Sequence, residues 1–192
     1  MDFYDRHAAA YAAHSLARDL AFLWEPFCRA LPPRSRVLDL GSGAGRDSLT
    51  LAARGFDVVS LDRSMGMLRQ HRERGGQTLI RGDLAWLPFR PASFAGIWAC
   101  ASLLHLPKAR ILFALHEAHR VLMPEGLLFL SVKAGTGEFA DEEGRFWALY
   151  QEDELIDLAT IAGFRSVECG RSADLAGRPD VAWINLWARS CG

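Results

Sequence analysis

No stretch of this sequence approaches the roughly 20 consecutive apolar residues that a helix needs to span a bilayer. Its opening, Met1-Asp2-Phe3-Tyr4-Asp5-Arg6, lacks a basic segment followed by an apolar core, so no signal peptide is expected. Cysteine is sparse: Cys28, Cys100, Cys169 and Cys191 stand far apart, with no CxxC pair. That spacing argues against a disulfide framework or a zinc site; no metal is expected, and reduced thiols in a cytoplasmic protein are. Neither sign of charge is in excess. Lys plus Arg number 22 and Asp plus Glu 23, a formal charge of −1, and the two kinds are interspersed. Such a balance does not advertise a nucleic-acid surface. No internal repeat and no linker marks a second domain. The 192 residues, half of them hydrophobic, suffice for one well-buried domain spanning 1–192.

What is present is alternation. Short apolar runs read as strands at Arg36–Leu40, Asp57–Leu61, Thr78–Arg81, Phe94–Cys100 and Leu127–Val132, with two more near Arg165–Cys169 and Ala182–Ala188. Between them lie helical patterns at Ala44–Arg54, Ser64–Arg74, Pro107–Leu122 and Glu152–Ala162. Pro124-Glu125-Gly126 reads as a turn, and His7–Leu31 as one helix closed by Pro32-Pro33. Strand and helix in alternation predict an α/β fold, a mostly parallel sheet with helices on both faces. Residues 1–33 are expected to form a helical cap. Residues 134–150 follow the fifth strand as a loop that overhangs the pocket, a lid or specificity element.

Chemistry first shows itself in Val37-Leu38-Asp39-Leu40-Gly41-Ser42-Gly43-Ala44-Gly45. A strand runs into a glycine turn and then a helix, the place where open α/β sheets bind ligands. A dinucleotide site uses such a turn with the spacing G-x-G-x-x-G. Here the third glycine comes one residue early, and Arg46 occupies its place, where it would crowd the helix–strand contact. Asp39 is unhelpful beside a pyrophosphate and suits a ligand carrying an ammonium group and a sulfonium. Asp62 ends the second strand, where a carboxylate can accept from ribose hydroxyls. Asp83 ends the third and can accept from an exocyclic amine. Met67 and Leu84 supply apolar faces for a ring. The bland readings are a helix N-cap for Asp62, with Ser64 the better cap, and a surface turn for Asp83.

These pieces resemble class I S-adenosylmethionine-dependent methyltransferases, particularly the small single-domain group (methyltransferase type 11) that includes quinone-biosynthesis enzymes. The matching stretches are VLDLGSGAGRDS (37–48), VVSLDRSMGML (58–68), IRGDLAWLPF (80–89), SFAGIWACASLLHL (93–106) and EAHRVLMPEGLLFLSV (117–132). Each is weak alone; five in order are specific. Ala95 departs from the aspartate common in SFD-type sequences. The resemblance implies a Rossmann-like open sheet of about seven strands in the order 3-2-1-4-5-7-6, with strand 7 antiparallel. It implies that backbone around Gly41 and Gly43 holds the methionine portion of S-adenosylmethionine, with Ser42, Gly45 and Arg63 beside them. By the same resemblance Asp62 holds the ribose, Asp83 with Leu84 the adenine, and backbone at Ala99–Cys100 closes over the cofactor.

Other residues carry open alternatives. His105 follows the fourth strand and is the candidate catalytic residue, as general base or substrate contact; it could equally bond a backbone carbonyl or cap the next helix. Tyr4 is a cofactor candidate, through a cation–π contact to the sulfonium, or ordinary packing. Tyr11, Arg145, Phe146, Trp147 and Tyr150 are substrate candidates for a planar or anionic molecule. His116 and His119 read as surface histidines, and Trp98 as core or pocket wall. The expected reaction is in-line methyl transfer to a small-molecule acceptor, leaving S-adenosylhomocysteine. The alternatives are a tRNA-modifying methyltransferase, a nicotinamide-dependent oxidoreductase and a non-catalytic S-adenosylmethionine-binding module. Oligomeric state is not legible.

Overall fold

Apolar runs punctuated by glycine and proline pair into one sheet, and the amphipathic segments between them cover it. In the computed structural model, which describes residues 3–191, the chain begins with three short helices: α1 (Phe3–Arg6), α2 (Ala8–Leu16) and α3 (Ala21–Arg29). There follow β1 (Arg36–Leu40), α4 (Arg46–Ala53), β2 (Asp57–Asp62), α5 (Met65–Glu73), β3 (Thr78–Arg81) and β4 (Phe94–Cys100). A 3-10 turn (Leu103–His105) leads to α6 (Lys108–Val121), β5 (Leu122–Lys133), β6 (Glu138–Ala140), β7 (Phe146–Ala148), α7 (Glu152–Ile161), β8 (Phe164–Ala173) and β9 (Ala182–Ser190). Met1, Asp2 and Gly192 lie outside the described residues, so the first two positions of the expected cap do too.

The main sheet has seven strands in the order β3-β2-β1-β4-β5-β9-β8. Neighbours from β3 through β5 are parallel; β9 runs antiparallel to both β5 and β8. Counting these seven strands alone, the order is 3-2-1-4-5-7-6, as expected. Alternate side chains along the central strands enter two different cores, because a strand's period is two. Leu38, Leu40, Ile97, Leu128 and Leu130 pack toward α6 and α7. Val37, Trp98, Leu127 and Phe129 pack toward α3 and α4, with Trp24, Phe27 and Leu51. Trp98 is therefore core and not pocket wall: it is fully buried, stacked on Phe129 at 4.1 Å and edge-on to Phe27 at 5.1 Å.

Three segments depart from expectation. The single N-terminal helix is broken between Leu16 and Ala21, where the Asp19 carboxylate accepts from the Ala21 N–H and starts α3 afresh. The break frees the first two helices to dock on α5. There Asp5 accepts from the Ser64 hydroxyl at 2.7 Å and from the Gly66 N–H at 2.9 Å. Gly66 eases this approach: a Cβ there would come to 3.1 Å from the Asp5 backbone and from the Ala8 Cβ, tighter than ordinary contact. Second, the expected loop after β5 is a two-stranded hairpin, β6 with β7, paired Glu138 to Ala148 and Ala140 to Phe146. Asp141 ties its end, accepting from the Arg145 backbone and from the Trp147 indole at 2.8 Å. Third, residues 124–126 belong to β5, which shifts register against β4 between Phe94 and Gly96. Among the described residues, no helix is long and apolar enough to cross a membrane.

Candidate functional site

The site grows from the turn between β1 and α4. The N–H groups of Gly41 and Ser42 both donate to the Leu61 carbonyl, at 2.8 and 3.0 Å, locking the turn to the end of β2. Gly41 has φ of +83°, and a Cβ there would sit 2.3 Å from Cβ of Ser102. Gly43 has φ of +53° with open space on that side. Its N–H donates to one oxygen of Asp62 at 2.8 Å, while the other oxygen accepts from the Ser64 N–H at 2.8 Å. One carboxylate thus joins the turn to the start of α5, and Ser64, as expected, is the cap, accepting from the Met67 N–H.

The turn lines a cavity of about 440 Å³ at the carboxyl ends of the strands. Thirteen predicted residues meet on its wall: Gly41, Ser42 and Gly43 from the turn and Cys100 from the end of β4; Asp62, Arg63, Met67 and Leu84 from the end of β2, α5 and the segments after β2 and β3; Tyr4, Tyr11 and His105; and Arg145 and Trp147 from the hairpin. The buried hydroxyls of Ser42 and Ser102 have no partner among the described residues, and both residues line this space. Orphaned donors beside an open glycine and an acceptor carboxylate are what a polar ligand needs, and Met67 and Leu84 offer an apolar wall beside them. A second hollow, of about 500 Å³, lies along the β8–β9 connection and takes no residue from the glycine turn.

His105 is held on both ring nitrogens. Nδ1 lies 2.8 Å from the Phe146 carbonyl, which can only accept, so Nδ1 carries the proton. Nε2 then holds a lone pair and accepts from the Tyr4 hydroxyl at 2.7 Å. Burial, with Tyr11 adding to it, pushes the Tyr4 phenol far above its ordinary value, so it stays a donor. The hairpin therefore sets the tautomer of the candidate base.

Several expected residues lie off the wall. Asp39 is 2% exposed and faces α4, since its neighbours Leu38 and Leu40 take the other face. It accepts from the Ser48 hydroxyl at 2.5 Å, and Ser48 in turn meets Ser60 at 2.8 Å. Burial first, and Asp47 second, raise its pKa. Gly45 packs against His71, whose ring a Cβ would strike at 2.2 Å. Asp83 turns outward, accepting from the Ala85 N–H and pairing with Arg110 at 3.2 Å. Ala99 is core, Phe146 contributes its carbonyl to His105, and Tyr150 is buried beneath Lys108.

Sequence reasoning missed an inner ion pair. Arg46 does not crowd the helix–strand contact; its guanidinium lies on the cavity wall, bidentate on Asp47 at 2.8 Å, with Nη2 3.5 Å from the Cys100 sulfur. Burial lifts the Cys100 thiol pKa to about 12, so it is no nucleophile. An Arg-Asp pair directly after a glycine turn was the available signal. Lys133, Asp141, Arg178 and Trp183 also line the cavity, and no local pattern marks them.

The family described as methyltransferase domain matches residues 37–126. A putative methyltransferase of Encephalitozoon cuniculi is 32% identical over 158 residues, covering 71% of this chain and 73% of that protein. A malonyl-[acyl-carrier protein] O-methyltransferase of Geobacter sulfurreducens is 30% identical over 205 residues, covering 93% and 74%. Among solved structures, the Burkholderia thailandensis 1,6-didemethyltoxoflavin-N1-methyltransferase superposes with a TM-score of 0.72 at 22% identity, covering 97% of this chain and 90% of that one.

Proposed function

This chain belongs to the class I S-adenosylmethionine-dependent methyltransferases, and on that premise we propose that it methylates a small-molecule acceptor in the cavity beside its glycine turn. The observation that carries the reading is enclosure: the glycine turn and the Tyr4–His105 pair face one cavity of about 440 Å³, roofed by the first helices and the β6–β7 hairpin. That volume lies in the range of small-molecule pockets, about 300–1,000 Å³.

S-Adenosylmethionine supplies a methyl group activated on a sulfonium. The backbone from Gly41 to Gly43, with the Ser42 and Ser102 hydroxyls, would hold its amino-acid end. Asp62 would take the ribose hydroxyls, and Met67 with Leu84 the adenine. His105 presents Nε2 to the cavity and accepts a proton there when the acceptor displaces the Tyr4 hydroxyl. Tyr4, Tyr11 and Trp147 form the aromatic part of the acceptor wall and exclude water.

The test is thermal shift with S-adenosylhomocysteine against NAD, then turnover of S-adenosylmethionine across a panel of small acceptors and tRNA. Stabilisation by S-adenosylhomocysteine and turnover on small acceptors are expected. Stabilisation by NAD alone, or turnover on tRNA alone, would overturn the reading.

A further inference from the structure

The chain as a whole has a formal charge of −1, yet its cavity does not share that balance. Six cationic side chains line it (Arg18, Arg46, Arg63, Lys133, Arg145 and Arg178) against three carboxylates, Asp47, Asp62 and Asp141. A methyl donor that is itself a sulfonium cation does not call for this excess. Part of it is neutralised in place. Arg46 is held by Asp47, Arg145 by Asp141 at 2.7 Å and Glu143 at 2.6 Å, and Arg178 by Asp174 at 2.7 Å.

Lys133 is different. It ends β5, is half-buried, and forms no ion pair among the described residues. Its ammonium sits 3.5 Å from the centroid of the Trp147 ring, and the Arg145 guanidinium lies 5.4 Å from the same ring. Burial, then Arg178 and Arg145, lower its pKa to about 8. A half-buried cation pressed by two others, touching an aromatic face and drawn only in part by Asp174 and Asp141, which are already paired with Arg178 and Arg145, lacks a counter-ion of its own.

We infer that the acceptor is an anion, its carboxylate or phosphate received by Lys133 and its apolar body laid on Trp147. This rests on the methyltransferase reading and names the substrate class for the same cavity. Lys133 acts as a point charge, so it takes either anion; Arg145 and Arg178 stand on the same wall, held in place by Asp141 and Asp174. Trp183, also on the wall, is steadied by its indole bond to Asp174 at 2.9 Å and extends the aromatic surface.

The test is calorimetry on the full chain loaded with S-adenosylhomocysteine, titrated with benzoate, phenyl phosphate, and the neutral benzamide. A charged anion should bind at least about tenfold more tightly than benzamide, the gain of one hydrogen bond to a charged group. Benzoate preferred over phenyl phosphate identifies a carboxylate acceptor, and the reverse a phosphate. Lys133→Met should erase the preference while Lys133→Arg keeps it. Arg36→Gln, at the opposite ends of the strands, removes the same charge and should change nothing. Equal binding of benzoate, phenyl phosphate and benzamide, or an undiminished preference in Lys133→Met, would overturn the inference. If S-adenosylhomocysteine binds and anions are not preferred, only the acceptor class is wrong; if it does not bind, the methyltransferase reading itself fails.

Discussion

The hydroxyl of Tyr4 donates to Nε2 of His105 at 2.7 Å, across 101 residues of chain. Two docking events make that contact. Asp5 fastens the first helix to the start of α5, and Phe146 fastens the other side of the imidazole to the hairpin. The imidazole is thus oriented from one side and covered from the other.

The pair predicts separable kinetic effects. Loss of a positioned general base costs about 10²–10⁴-fold in rate, so His105→Gln should lower kcat by at least about 10²-fold. Tyr4→Phe keeps the ring and removes only the donor, and its fall in kcat should be smaller. Neither change should move the Kd for S-adenosylhomocysteine more than about threefold, since no cofactor contact to the His105 side chain is invoked. Stopped-turnover kinetics beside calorimetry check this. A His105→Gln enzyme with normal kcat would show that His105 is a positioning residue for the cap.

The glycines of the turn should fail in different ways. Gly41→Ala drives a Cβ to 2.3 Å from Cβ of Ser102 at a φ of +83°. It should destabilise the fold by about 1–3 kcal/mol, read as a lower denaturation midpoint. Gly43→Ala meets no atom within 4 Å, so only backbone strain of about 1 kcal/mol opposes it. It should fold and lose cofactor affinity, because its methyl group enters the cavity. Calorimetry with S-adenosylhomocysteine separates the two.

Strands bounded by glycine or proline were the most legible part. Phe94–Cys100 stands where its apolar run does, because a strand buried on both faces is apolar nearly throughout, and the edge strand Thr78–Arg81 is set off by Gly76 before it and Gly82 after it. The hairpin was not legible. Glu138–Ala140 is exposed and short, its pairing set by Asp141 reaching Arg145 and Trp147 and not by any alternation. In the site, the turn, Asp62 and the residues after it announce themselves by local spacing. Lys133 and Arg178 do not: they come from the end of β5 and from the β8–β9 connection, and only the antiparallel return of β9 brings them together.

Asp39 offers a test of which role its position serves. Its pKa is raised in the folded protein, so folding favours the protonated acid. The stability this lends is full below the ordinary carboxylate range and is lost as pH rises through the raised value. Asp39→Asn removes that dependence and keeps an oxygen for the Ser48 hydroxyl. Its urea midpoint should match the wild type near pH 4 and exceed it at pH 8. Affinity for S-adenosylhomocysteine should change little if Asp39 only supports the turn from beneath. A large loss of affinity would restore the direct contact with the ligand's ammonium group that its place in the sequence suggested.

Lys133 should show a cost in stability for its place in the cavity. Burial and the fields of Arg178 and Arg145 lower its pKa to about 8 from the ordinary 10.5, against a partial pull upward from Asp174 and Asp141. For a lysine the sign runs opposite to the usual gain from a partner: the folded state binds its proton less well than the unfolded state. The penalty is full below pH 8 and fades as pH rises to about 10.5, where the unfolded lysine also loses its proton. Lys133→Met keeps the length of the stem and its packing on Trp147 while removing the charge. It should therefore raise the Tm at pH 7, by a few degrees or about 1 kcal/mol, with the gain shrinking at pH 10. Thermal unfolding at the two pH values, without ligand, measures this. A variant less stable than the wild type at pH 7 would mean that the contact with the indole outweighs the buried charge.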